Sequence, residues 1–208
     1  MKKIEDPYEE ISRIAGRRGP RAVSTLQEAT EAFERGRDKE ALKLIKPLHE
    51  QYPEALAVQE LYGLSLYSTG KYAQALKVIE DFSDKSGSYD QFPVLMDCYR
   101  AAKNYDKVDE LWEELGSVSP SGEVVAEGRI VHSQSLAERG KIDEALRALR
   151  KKVKPLSRPA EHHLRLWYCL ADLEERAGNV IVARQWFERV AKFSPDYADV
   201  NYRVKQLS

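Results

Sequence analysis

One pattern constrains this chain more than any other. A short turn is followed by one residue and then by a helix-forming segment with a small apolar side chain at a fixed place, and this happens five times. The copies read ERGRDKEALKLIKPL from Glu34, STGKYAQALKVIEDF from Ser68, AAKNYDKVDELWEEL from Ala101, ERGKIDEALRALRKK from Glu138 and RAGNVIVARQWFERV from Arg176. The small residues are Ala41, Ala75, Val108, Ala145 and Ala183, at separations of 34, 33, 37 and 38. A period of this length marks stacked supersecondary units, none of which can bury its apolar face alone.

Each unit reads as two helices. In the second, Leu61, Leu64 and Tyr67 lie at helical spacing, and Gly70 closes that helix because glycine enters the left-handed region without a Cβ penalty. The next helix carries Ala75, Leu76, Ile79 and Phe82. Leucine, alanine, lysine and glutamate dominate throughout, and all favour helix. Pro53, Pro120 and Pro195 follow the second helices of units one, three and five, where proline stops a helix.

The turn glycines Gly36, Gly70, Gly140 and Gly178, the aromatics Tyr72 and Tyr105, the small set and the prolines together resemble the tetratricopeptide repeat family over roughly residues 22–197. The resemblance implies an all-α, right-handed α-solenoid of about five helix-turn-helix repeats with terminal capping helices. The expected divisions are an N-terminal arm or helix over 1–21, units near 22–55, 56–88, 89–122, 123–160 and 161–197, and a capping helix over 198–208. On this reading Tyr72 fills the wedge between the helices of its unit. Ala29, Gly63, Ser133 and Ala171 are the small partners that let the paired helices approach. Unit three departs, with Met96 facing Val108, and its helices are expected further apart. Unit four departs with Lys152 at a normally apolar place and an early Pro155.

A stack of amphipathic pairs leaves an open face at each end. Tyr197, Val200, Val204 and Leu207 form one stripe suited to cover the last unit. Near the N-terminus, Asp6 before Pro7 is a strong helix start. Ile4, Tyr8, Ile11 and Ile14 make an apolar stripe, and GRRGP then breaks the helix. This segment can cap unit one, dock in the chain's own groove, reach a second copy, or remain a frayed tail; the arm and the array ends are the routes to a homo-oligomer.

Chemistry-bearing motifs are absent: there is no glycine-rich phosphate loop, no HExxH and no CxxC. In EHHLRLWYC the adjacent His162 and His163 point about 100° apart, whereas metal-sharing helical histidines stand at i, i+4. Cys98 and Cys169 read as small core hydrophobes, and His132 as an isolated histidine. The chain is expected to be no enzyme and to need no metal or cofactor. Two distant cysteines, no signal-peptide core and no long apolar run point to a cytoplasmic protein without a membrane span.

The net charge is −1, so no global field recruits nucleic acid. Locally, residues 146–165 hold seven cations against one acid, and residues 105–127 hold seven acids against one cation. Mutual compensation between the second helices of units three and four is the expected outcome. An RNA- or anion-binding surface at 146–165 is the alternative, along with self-assembly. The resemblance implies that the first helices line a concave face carrying Thr30, Glu60, Leu64, Tyr67, Asp97 and Arg100, then Glu127, Gln134, Glu138, Arg165, Tyr168, Asp172, Glu175 and Arg176. Such a mixture suits a peptide or protein segment, and the carboxylates favour one that is basic or of mixed charge. The lysine and asparagine clamp with which some members of the family hold acidic tails is missing.

Overall fold

The computed structural model describes residues 5–118, 120–151 and 153–207; Ile4, Lys152 and Ser208 of the sequence reading lie outside them. The described residues contain α-helices, one 3-10 turn and no strands. The chain forms two compact units, Met1–Lys103 and Asn104–Ser208.

The first unit holds α1 (Pro7–Ala15), a 3-10 turn (Gly16–Arg18), α2 (Gly19–Glu34), α3 (Asp38–Gln51), α4 (Leu56–Ser68), α5 (Tyr72–Ser86) and α6 (Phe92–Ala101). Helices α2 and α3 pair, as do α4 and α5, and α3 packs on α4. Gly70 ends α4 with φ 76°, and the next N–H, that of Lys71, reaches back 2.9 Å to the Leu66 carbonyl. That closure satisfies a carbonyl the helix end would otherwise orphan. A Cβ at Gly70 would meet nothing within 4 Å, so the backbone angle alone requires glycine there.

Gly63 is needed for the opposite reason. Its backbone is ordinary, but a Cβ would stand 2.4 Å from Ile79 Cδ1. The missing side chain lets α4 lie close on α5. The other small positions behave alike: Ala29, Ala41, Ala75, Ser133, Ala145, Ala171 and Ala183 are all fully buried. Tyr72 corrects the sequence reading. Its ring is 41% exposed and rests edge-on against Tyr67, so it does not fill the wedge. Ile79, fully buried, does.

The N-terminal helix docks on its own unit. Asp6 caps α1 by accepting from Tyr8 and Glu9 N–H, and Ile11 is fully buried among α2 and α4 residues. Helix α1 packs on α2 and on the start of α4. Ala55 precedes α4 and has no capping oxygen. Glu10 supplies it from α1, its carboxylate accepting from Leu56 N–H at 3.0 Å and Ala57 N–H at 3.2 Å. A carboxylate at a helix N-terminus meets both the orphan donors and the positive end of the dipole.

The second unit holds α7 (Tyr105–Val118), α8 (Gly122–Glu138), α9 (Ile142–Arg150), α10 (Glu161–Arg176), α11 (Val180–Phe193) and α12 (Val200–Gln206). Helix α8 packs on α7, α9 and α10, α10 on α11, and α11 on α12. The third hairpin of the repeat pattern is therefore divided, α6 closing one unit and α7 opening the other; Met96 and Val108 are fully buried. Lys103, at the place of the turn glycines, adopts φ 58°. Helix α9 stops at Arg150, shorter than α3, α5, α7 and α11. Val153 packs in the space beyond it, and Trp167 of α10, 1% exposed, donates its indole N–H to the Lys154 carbonyl at 3.2 Å.

Candidate functional site

The first helices of the repeats carry the candidate residues, and each unit arranges its own set. In the first unit three of the six, Tyr67, Asp97 and Arg100, are engaged with one another. Tyr67 donates its hydroxyl to Asp97 Oδ2 at 2.8 Å, and Arg100 Nε donates to Asp97 Oδ1 at 2.8 Å. Both oxygens of that buried carboxylate are thus occupied. Burial, with Asp97 beside it, pushes the Tyr67 phenol well above its usual range. Glu60 accepts from Gln91 Nε2 at 2.8 Å, and Thr30 donates to the Leu26 carbonyl at 2.9 Å. Leu64 stays half-buried.

The second unit gathers five of the expected residues around one cleft of about 370 Å³. Glu127 and Gln134 come from α8, and Arg165, Tyr168 and Asp172 from α10. Its floor is apolar, made by Ile130, Cys169 and Leu173, and Tyr197 closes one side. Their helical spacing explains the convergence. Residues 127, 130 and 134 share one face of α8, and residues 165, 168, 169, 172 and 173 share one face of α10.

The charges here are largely matched. Arg165 Nη1 stands 3.2 Å from Glu127 Oε1 and Nη2 2.9 Å from Glu161 Oε1. The contact to Glu127 has ion-pair distance without hydrogen-bond alignment, so Glu127 Oε1 keeps no aligned donor. Burial pushes the Glu127 carboxyl up, and Arg165 draws it part of the way back. Asp172 and Glu175 are held by Arg203 of α12, at 2.9 and 2.7 Å. The same guanidinium lies 4.8 Å from the Phe187 ring centre, a cation–π contact. Burial would lower the Arg203 pKa, but the bonds to Asp172 and Glu175 outweigh it and hold it above the usual arginine value. Tyr168 donates to Asp199 at the start of α12. The acidic cluster expected to face a basic partner is therefore neutralised from within, chiefly by α12. Arg176 lies 3.9 Å from Asp172, and Glu138 accepts from Tyr105 at 3.5 Å; neither lines the cleft. Two polar groups on the rim, the Gln134 amide and the Tyr197 hydroxyl, have no hydrogen-bond partner among the described residues.

Sequence reasoning misses Tyr197 as a site residue, because its spacing with Val200 and Val204 places it in the capping stripe. Its position at the head of the next helix, where a sixth unit would begin, is the signal that could have found it. The charged runs also pair differently from expectation. Asp109 of α7 is held bidentately by Arg139, both bonds 2.8 Å, and approached by His132 at 3.2 Å. Arg150 of α9 pairs with the buried Glu174 of α10, the nearer bonds at 2.6 and 2.5 Å. These two pairs thus run from α7 to the end of α8 and from α9 to α10.

His163 Nδ1 accepts the Ala160 N–H at 3.1 Å, a capping role at the start of α10. Among the described residues no three His, Cys, Asp or Glu side chains are grouped as a metal ion would need. Burial raises the Cys98 and Cys169 thiols to about 12, so both are protonated at neutral pH. No helix among the described residues is long and apolar enough to cross a membrane.

Helix pairs zipped by small side chains, with left-handed turn residues between them and a polar-rimmed cleft on the first helices, define a helical-repeat protein. The tetratricopeptide repeat family matches residues 26–87 and 131–198, more than half of the length, and the chain belongs to that family. The fold is correspondingly the α-solenoid type. Among solved structures, the thermophilic tetratricopeptide repeat protein TTC0263 of Thermus thermophilus is 17% identical. The match covers 89% of this chain and 98% of that one, with a TM-score of 0.67. A Podosopora anserina putative kinesin light chain with nearly identical repeats is 18% identical over 92% and 99% of the two chains, TM-score 0.60. MamA MSR-1 is 18% identical over 88% and 98%, TM-score 0.57. These likenesses concern fold alone. No curated protein matches the chain in sequence. The family generally serves as protein-interaction scaffolds.

Proposed function

We propose that this protein is a non-catalytic interaction scaffold whose second unit takes a partner's peptide segment in the cleft between α8 and α10. The observation that carries this reading is the composition of that cleft. An apolar floor of Ile130, Cys169 and Leu173 lies beneath a rim on which the Gln134 amide and the Tyr197 hydroxyl are uncommitted, and on which Glu127 Oε1 is ion-paired with Arg165 but keeps no aligned hydrogen-bond donor. A bulky apolar side chain seated on the floor would contribute about 1.5–3 kcal/mol. The rim groups would fix the register of the segment by hydrogen bonds. Because Arg203 and Arg165 already offset the neighbouring carboxylates, the segment fits as an apolar one with polar flanks rather than a strongly basic one. The protonated Cys169 thiol serves the floor as a hydrophobe, which supports a binding role over a nucleophilic one.

The test compares the intact protein with a Gln134→Ala, Tyr197→Ala variant and with an outer-surface control, Arg184→Ala, as baits under matched conditions. A partner retained by the control and lost by the double variant supports the cleft. Equal recovery by all three overturns it.

A further inference from the structure

The first unit carries a second cleft, of about 510 Å³, between the beginning of α2 and the far half of α3. It owes nothing to the face discussed above. Arg18 and Arg21 stand on one side and Lys43 on the other, and no acidic residue among the described residues lines it. All three cations are exposed. Among the described residues none has an acidic side chain within ion-pair reach. Several other cations of the chain, among them Arg13, Arg37, Arg139, Arg150, Arg165 and Arg203, are by contrast held in ion pairs. The wall between the cations is apolar: Leu44 and Leu48 lie beneath, and Pro47 is exposed at the edge. Pro47 sits inside α3 and has no N–H, so the helical bond to the Lys43 carbonyl is missing and an acceptor is left at the cleft.

The geometry points to a docking site for an acidic peptide segment that carries a bulky apolar side chain. Three cations without acids attract carboxylates and raise encounter rates. The apolar wall and the freed carbonyl suit a side chain and an N–H of a polypeptide. A nucleic acid would instead look for stacking platforms, and Tyr52, half-buried, is the only aromatic residue among the described residues that line the cleft. The GRRGP turn thus does more than reverse the chain between α1 and α2. It sets Arg18 beside Arg21 at the mouth of the cleft.

The test is fluorescence anisotropy of the full chain with a short fluorescein-labelled peptide of Glu and Asp flanking a central Leu-Phe. The same peptide with Ala-Ala at its centre and a labelled polyuridylate RNA are run beside it, at low and moderate salt. Binding of the Leu-Phe peptide is expected, weakened about tenfold by Arg21→Ala with Lys43→Ala. Leu44→Asp should weaken it further, and the Gln134→Ala, Tyr197→Ala variant should leave it unchanged. Circular dichroism confirms that each variant is folded. Absence of peptide binding at low salt overturns the proposal. So does equal binding of the Ala-Ala peptide, or RNA binding as tight as the peptide's, either of which would mark a general polyanion surface. Loss of binding in the Gln134→Ala, Tyr197→Ala variant would move the site to the other cleft.

Discussion

Replacing Gly63 by alanine puts a methyl group 2.4 Å from Ile79 Cδ1, 2.8 Å from Ile79 Cγ1 and 3.3 Å from Val78 Cγ1. On an exposed helix face the same change would raise stability by about 1 kcal/mol through helix propensity. Here two effects oppose each other. Ile79 is fully buried, so it has no open space into which to swing, and overpacking of a filled core costs about 1–3 kcal/mol. The net expectation is a loss of about 1–2 kcal/mol, concentrated in α4 and α5. Ile79→Val removes the nearest clashing atom and by itself costs about 1 kcal/mol. Added to Gly63→Ala it should cost less than the sum of the two, with a coupling of about 1 kcal/mol. Urea denaturation followed by circular dichroism gives the stabilities, and amide hydrogen exchange in α4 and α5 localises the change. A Gly63→Ala protein more stable than the parent, or additivity with Ile79→Val, would refute the claim that close helix approach requires glycine here.

Lys103 adopts the left-handed conformation at the place of the turn glycines, and Lys103→Gly should raise the urea midpoint by an amount equivalent to as much as about 1 kcal/mol, the relief of side-chain strain exceeding the added freedom of the unfolded chain. Arg203→Ala leaves Glu175 without its cation and Asp172 with only the more distant Arg176, and should cost about 1–2 kcal/mol. Its mark would be faster hydrogen exchange in α12 rather than in α8. His132 titrates below its ordinary value because it is buried, despite the pull of Asp109. The unfolded chain therefore takes up that proton first, and stability should fall as pH drops through the ordinary histidine range toward the folded value. A His132→Gln variant should show a shallower decline in melting temperature from neutral to mildly acid pH.

What the sequence determined by itself was everything that repeats locally. The period, the turn glycines, the buried small residues and the stopping prolines each act within one hairpin, where contacts lie a few residues apart and backbone angles follow from residue type. The face of α8 and α10 that forms a cleft was legible for the same reason, since helical spacing alone puts Glu127 beside Gln134 and Arg165 beside Tyr168 and Asp172. Tertiary structure decided which of those side chains remain available. Arg203 reaches Asp172 and Glu175 across about thirty residues of chain, Glu10 caps α4 from more than forty residues away, and Ile79 rather than Tyr72 fills the wedge. No periodicity encodes such pairings. A long side chain has many partners within reach in an unfolded chain, and only the packed helices, by fixing distance and excluding water, select one of them.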